Sequence, residues 1–284
     1  MAADYKALKN GGFMRQRQKD NFSLRLKVIG GNLTSGQLNT ISRAAETYGH
    51  GYVHLTSRQG VEIPFIQLKD VEDVKKALSD GGVETGVCGP RVRTVTACQG
   101  IDICPSGCID TLDLANEISG RYFGRNLPHK FKFGVTGCQN NCLKAEENDV
   151  GIKGGYVVSW QSADCSLCGV CVKACRQGAI TADEEKVYFD PEKCSNCGRC
   201  VKACPTDAWS GIPGYIVSFG GTFGNLIAQG LQLTPILTDR EKVLKACDAA
   251  LDYFAEHARA GERFRLAADR VGWEALKSLL ESRL

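Results

Sequence analysis

The chain is poor in the features that would place it at a membrane or on nucleic acid. Lys and Arg outnumber Asp and Glu by only three, 35 against 32. No large single-sign field therefore exists to draw in a polyanion or a lipid surface. No apolar run approaches the roughly 20 residues that a spanning helix needs. The opening MAADYKALKNGGFMRQRQKD has charges without an apolar stretch behind them, so it does not read as a secretory signal. A glycine fingerprint of the G-x-G-x-x-G kind is missing, which leaves NADH or a flavin to a partner. Histidine is scarce, and none of His50, His54, His129 and His257 has a ligand-like neighbour. All four read as structural, with His129 beside Lys130 at the edge of any site there. The remaining composition, 43% hydrophobic and 24% charged over 284 residues, suits one large or two modest globular domains.

Cysteine, by contrast, is abundant: 15 residues. A secreted disulfide framework belongs to short chains that lack a core. Here the cysteines bunch in C-x2-C steps, where neighbours cannot crosslink distant segments. A reducing cytoplasm, in an anaerobe, is the expected compartment. Twelve cysteines form three sets. Cys165, Cys168, Cys171 and Cys175, then Cys194, Cys197, Cys200 and Cys204, both read C-x2-C-x2-C-x3-C, the bacterial two-cluster ferredoxin spacing. CSLCGVCVKAC returns as CSNCGRCVKAC at a 29-residue offset, the duplication of a pseudo-symmetric module. In this spacing the fourth cysteine serves the other cluster. Cys165, Cys168, Cys171 and Cys204 are expected on one cluster, and Cys194, Cys197, Cys200 and Cys175 on the second. Pro205 follows the last cysteine as the pattern asks, while Arg176 replaces the matching proline of the first half. Paired structural zinc sites are the competing reading, but they separate their C-x2-C pairs.

The third set is split: Cys98 and Cys104 (C-x5-C), then Cys138 and Cys142 (C-x3-C). Basic residues keep it company. Arg93 precedes Cys98, and Lys130 and Lys132 precede Cys138. Two residues apart on a strand, these lysines share a face. Arg58 sits at a turn in LTSRQG. Converging, the four cations would make an anion site. Taken singly, each reads as an ordinary solvated surface residue. Cys108, in CPSGC, competes as a ligand on spacing alone. Cys88 and Cys247 read as buried small hydrophobes.

Periodicity orders the rest. Phe22, Leu24, Leu26 and Val28 alternate with polar residues as a half-buried strand. A helix over 35–47, strands at 52–56 and 61–67, and a helix from Val71 through Leu78 complete a β-α-β-β-α unit over 21–80. A helix over about 109–123 and a strand at Lys130–Val135 follow. GYVVSW (155–160) and GYIVSF (214–219) look alike and bracket the eight-cysteine segment, with Trp160 and Trp209 at its edges. The tail is helical, with a capping box expected from Thr238 to Glu241. The fold class is α+β. Its parts are an N-terminal arm (1–20), a half-domain (21–84), a main domain (85–160 and 212–284) and an inserted ferredoxin (161–211).

Several of these motifs together resemble the sirohaem and [4Fe-4S] sulfite and nitrite reductases. They are C-x5-C followed by VTGCQNNC, LTSRQG, KFK, VSFGGTFG and the tail ADRVGWEALK. The resemblance covers about residues 11–284. The insert is similar to that of dissimilatory sulfite reductase subunits and of the catalytic subunit of anaerobic sulfite reductases. The resemblance implies a ferredoxin-like half-domain, a sirohaem/[4Fe-4S] domain and a bacterial 2[4Fe-4S] module. It implies three [4Fe-4S] clusters and sirohaem as cofactors. Cys98, Cys104, Cys138 and Cys142 would ligate the catalytic cluster, to the exclusion of Cys108, and Cys142 would bridge to the sirohaem iron. Arg58, Arg93, Lys130 and Lys132 would bind sulfite and some of the cofactor's carboxylates, with Arg15 and Arg17 as further candidates. Gly137, Gly220 and Gly221 would border the macrocycle. The activity implied is six-electron reduction of sulfite to sulfide, with nitrite reduction to ammonia as the alternative; Lys132 favours sulfite. A ferredoxin or flavoprotein would deliver the electrons. Since larger members hold two copies of the fold, a single copy implies a homodimer or a multiple of it. An electron-transfer subunit without sirohaem and a redox sensor are the non-catalytic alternatives.

Overall fold

The computed structural model describes residues 4–284. In chain order the elements are α1 (Tyr5–Asn10), β1 (Phe13–Arg15), β2 (Asn21–Arg25), α2 (Ser35–Tyr48), β3 (His54–Leu55), β4 (Val61–Gln67) and α3 (Val71–Asp80). Then come β5 (Thr96–Ala97), α4 (Thr111–Tyr122), β6 (Phe133–Thr136) and β7 (Val150–Trp160). After these follow α5 (Val170–Ala174), β8 (Ile180–Ala182), β9 (Val187–Phe189), α6 (Arg199–Ala203) and β10 (Trp209–Phe219). β11 (Leu231–Gln232), α7 (Arg240–His257), α8 (Phe264–Val271) and α9 (Trp273–Arg283) close the chain. The architecture is α+β, and no helix of the described residues is long and apolar enough to cross a membrane.

The first sheet has the order β1-β2-β4-β3, with α2 and α3 against one face. Phe22, Leu24, Leu26 and Val28 are all buried, although ladder pairing ends at Arg25. Alternation read the buried face correctly and overran the hydrogen-bonded strand. The strand expected at 52–56 shrinks to His54–Leu55, both exposed. Thr34 and Gln37 cap α2 reciprocally, each satisfying the other's backbone N–H.

The second sheet has the order β11-β10-β7-β6-β5. β5, β6 and β7 run parallel, and β7 and β10 pair antiparallel from Val150 opposite Phe219 to Trp160 opposite Trp209. The twin GYVVSW and GYIVSF segments thus lie on paired strands and meet at Gly155 opposite Gly214. Together with α4, α7, α8 and α9 they build the largest core, centred on Phe131, Phe133, Val217, Leu251 and Phe254. Two local expectations are corrected here. The α7 cap is Asp239, whose carboxylate accepts from Glu241 N–H, and not Thr238. Aspartate one residue nearer the helix serves at least as well. Likewise, β6 starts at Phe133, and Phe131 joins only through a single bridge to Val92.

Residues 161–208 are strung between the far ends of β7 and β10. Trp209, Ser210 and Gly211, expected inside the insert, belong to the strand. The segment holds two short helices and the β8–β9 hairpin. Its duplication is visible in the backbone: Leu167, Gly169 and Gly178 are left-handed, and so are Asn196, Gly198 and Asp207, each 29 residues on.

Candidate functional site

The split motifs converge as two separate groups. Arg58, Arg93, Lys130 and Lys132 line one cavity of about 300 Å³. Arg25, Thr56, Ser57 and Glu62 line it too. Arg58 enters on the turn before β4. It is held by Asn148 Oδ1, which accepts from Nη1 at 2.7 Å, and by the carbonyl of Thr94 at 3.3 Å. Arg93 donates to the carbonyls of Val87 and Gly89 at 2.8 and 2.9 Å, while its Nε is buried without a partner. Lys132 hangs its backbone N–H on Asp149 Oδ2 at 2.9 Å, and Arg263 holds the other oxygen at 2.9 Å.

Crowded like charges shape the electrostatics. Burial first, then Arg58 and Arg263, pull Lys132 down to about 8, against the attraction of Asp149. Lys130 is lowered by burial and by Arg263 and Arg93. Burial takes Arg58 down to about 10, so it stays a cation at neutral pH. His129 is lowered by burial and then by the charges of Lys130, Arg263 and Arg93. Glu62 neutralises Arg25, its Oε1 accepting from Nε at 2.6 Å, and fully buried Asp149 neutralises Arg263. The cations left over favour an anion, and a lysine that gives up its proton this readily can also donate it.

Sequence reasoning missed Arg25, Arg263 and Asp149. Arg25 was visible as an outward residue of the alternating strand, but nothing in the pattern named its partners. Arg263 and Asp149 come from distant parts of the chain, and only folding joins them. Cys88 also departs from expectation: it is buried, yet its sulfur lies 3.4 Å from Arg25 Nη1. Arg15 stacks over Tyr5.

The second group gathers Cys98, Cys104, Cys138 and Cys142. Burial raises the Cys138 thiol, and the charges of Cys104, Cys98 and Cys142 raise it further. Gly137 N–H donates to Cys98 Sγ at 3.0 Å, and Cys108 N–H to Gly137 O at 2.7 Å, which closes the Cys104 loop on the Cys138 loop. Cys142 is exposed, on a turn where Asn141 and Lys144 are left-handed. Cys108 is buried, and burial pushes its thiol up to about 11. The anion cavity and these cysteines occupy opposite ends of the same parallel strands. Arg93 and Lys132 precede β5 and β6, while Cys98 and Cys138 follow them. Six residues of extended chain put Lys132 and Cys138 about 20 Å apart along β6.

In the insert, the fourth cysteine of the first repeat crosses to the second. Cys175, Cys194, Cys197 and Cys200 line one small cleft, and the thiols of Cys194 and Cys200 feel charges from within that set. Backbone N–H groups donate to sulfur at Cys175 (from Ala179, 3.3 Å) and Cys194 (from Asn196, 3.4 Å). Burial pushes Cys204 up, but N–H groups of Trp209, Thr206 and Ala208 outweigh it and leave the thiol below its usual value. Left-handed turns that aim N–H groups at sulfur suit anionic iron–sulfur cargo. Among the described residues, no three His, Cys, Asp or Glu groups converge as tightly as a single metal ion requires.

The structure accounts for Gly220 and Gly221 within the chain. A Cβ on Gly220 would meet the Trp273 ring at 2.4 Å, and one on Gly221 would meet Glu146 O at 1.9 Å.

Residues 88–284 match the family described as the nitrite and sulphite reductase 4Fe-4S domain, and residues 14–80 match the nitrite/sulfite reductase ferredoxin-like half domain. The chain belongs to the nitrite and sulfite reductase family. It is similar to the coenzyme F420-dependent sulfite reductase of Methanocaldococcus jannaschii, 33% identical over 281 residues, which are 96% of this chain and 45% of that protein. An anaerobic sulfite reductase subunit from Salmonella typhimurium is 32% identical over 169 residues, 55% of this chain and 50% of that one. The NADH nitrite reductase large subunit of Escherichia coli is 33% identical over 145 residues, half of this chain and 17% of that one. The reductase chain therefore spans about half, or less, of the length of these relatives. In fold it is similar to dissimilatory sulfite reductase I, with a TM-score of 0.76 at 20% identity, covering 92% of this chain and 69% of that one.

Proposed function

We propose that the reductase is a sirohaem-dependent sulfite reductase that takes sulfite to sulfide with six electrons entering through the insert. The observation that carries this reading is the cavity where Arg25, Arg58, Arg93, Lys130 and Lys132 face one another. Its surplus positive charge suits a dianion better than the monovalent nitrite, and Lys132 supplies part of that surplus.

The donor sets suit the cofactors: Cys98, Cys104, Cys138 and Cys142 for a catalytic [4Fe-4S] cluster, and the eight insert cysteines for two more. N–H groups aimed at sulfur favour the thiolate that such a cluster requires. When bound, sirohaem and its neighbouring cluster supply an iron for the sulfur atom and the electrons to reduce it. The chain's own work is electrostatic. Arg58 and Arg93, fixed by backbone carbonyls, orient the anion's oxygens without reorganisation. Lys132 neutralises an oxygen and hands over one of the two protons with which that oxygen leaves as water, the other coming from solvent. Asp149 and Arg263 hold the backbone of Lys132 in place.

The distance along β6 supports a homodimer, or a multiple of it, in which one chain's cations serve the other chain's cysteine site. Co-expression tests this: a Lys132→Asn chain and a Cys142→Ala chain, each deficient in sulfite reduction alone, should regain it when mixed as dimers. Sulfite and nitrite turnover with a reduced viologen dye tests the substrate. Wild type should prefer sulfite, and Lys132→Asn should raise the nitrite/sulfite ratio. An unchanged ratio removes Lys132 from the argument.

A further inference from the structure

The insert is symmetric in sequence and asymmetric in placement. Gly169 and Gly198 are repeat mates. A Cβ on Gly169 would meet nothing within 4 Å, whereas one on Gly198 would meet the Tyr156 ring of β7 at 2.1 Å. Leu167 is 37% exposed. Its mate Asn196 exchanges two bonds with the Tyr156 backbone: Tyr156 N–H donates to Asn196 O at 2.8 Å, and Asn196 Nδ2 donates to Tyr156 O at 3.1 Å. Cys168 is exposed and its mate Cys197 is half-buried.

Lysine completes the asymmetry. Lys173 and Lys202 hold the same place in the two VKAC motifs. Lys202 donates to the carbonyls of Pro105 and Gly107, at 3.2 Å each, in the loop that begins at Cys104. Lys173 makes no such bridge among the described residues. Gly107 N–H in turn donates to Cys104 O at 2.8 Å, so the loop that Lys202 grips is the one that places Cys104. Cys108 follows this loop and is buried, close enough to Cys138, Cys197 and Cys104 for their charges to act on it.

We propose that the half of the insert bearing Cys194, Cys197 and Cys200 is the inner half, that Lys202 is the positioning residue locking it onto the Cys104 loop, and that electrons cross from insert to body at this contact. This rests on the reading of the cysteine sets as cluster ligands. Each crossing oxidises the inner set's cargo by one electron and reduces the body's by one. The inner set is refilled from the outer set (Cys165, Cys168, Cys171 and Cys204), and that set from a reduced one-electron carrier protein at the exposed Cys168 face. No proton or bond is exchanged at the junction.

The test uses anaerobically prepared holoenzyme in three variants: Lys202→Met, Lys202→Arg and Lys173→Met. Iron is counted, the reduced protein is examined by electron paramagnetic resonance, and the clusters are titrated for potential. Lys202→Met should keep its iron, lose the magnetic interaction between inner and catalytic clusters, and shift one cluster potential negative, because a neighbouring cation favours the reduced form. Lys202→Arg should restore both signals, and Lys173→Met should change neither. If Lys202→Met loses iron, Lys202→Gln keeps the hydrogen bond without the charge and should still show the negative shift. A fully loaded Lys202→Met protein indistinguishable from wild type, or a Lys173→Met protein with the same defects, would overturn the junction and leave the cluster reading intact. Wild-type protein that carries no clusters would overturn both.

Discussion

The insert and the body that carries it are held together by different means. The body buries a continuous apolar core in which Phe131, Phe133, Leu251 and Phe254 are wholly inaccessible. The insert's own cluster is Cys171, Ile180, Val187, Cys200 and Trp209. Two of those five are cysteines assigned to metal, and a third lies on β10. So small an apolar core cannot offset the conformational entropy of some fifty residues. On the cluster reading proposed above, the insert is joined from within by its ligands, as other small metal domains are. The body has an apolar core of its own. On that reading one region is a scaffold before any cofactor arrives, and the other becomes one only with it.

The widest break between them should come from iron. In protein prepared without iron, hydrogen exchange across 161–208 should lose all protection while α7, β6 and β10 near Phe219 keep theirs. Equal protection in both regions would erase the distinction. Next in size is the ion pair behind the cavity. Arg263→Met leaves Asp149 buried and unpaired and should cost about 3–5 kcal/mol in urea denaturation, the scale for breaking a buried pair. Leu251→Ala, in the centre of the body's core, should cost about 2–5 kcal/mol, whereas Val187→Ala should change nothing in iron-free protein. The smallest effect is the most specific. On the same reading, iron-free protein should still bind sulfite by calorimetry. That affinity should decline as pH rises through about 8, where Lys132 loses its charge. In Lys132→Arg the decline should move to higher pH.

How much of this could be read in advance follows the same division. Periodicity of two and of 3.6 found the βαββα unit and the tail helices, since one-sided burial writes itself into the sequence. The cysteine groups were legible because ligand spacing is local, and the structure brings Cys175 to the Cys194 group as the ferredoxin pattern anticipates. Arg58, Arg93, Lys130 and Lys132 were grouped by their company with the split cysteines, their roles came from likeness to a family, and they share one cavity. Arg25, Asp149 and Arg263 were not, because their partners lie 37, 17 and 114 residues away in the chain. At Gly220 and Gly221 a close approach was expected, and within the chain the close neighbours are Trp273 and Glu146.

The most direct test of the catalytic reading is the pigment itself. Protein purified without oxygen should yield sirohaem on acid–acetone extraction, and its visible bands should shift when sulfite is added, with a much weaker shift in Lys132→Asn. Iron-loaded protein with no extractable macrocycle, or bands indifferent to sulfite, would contradict it.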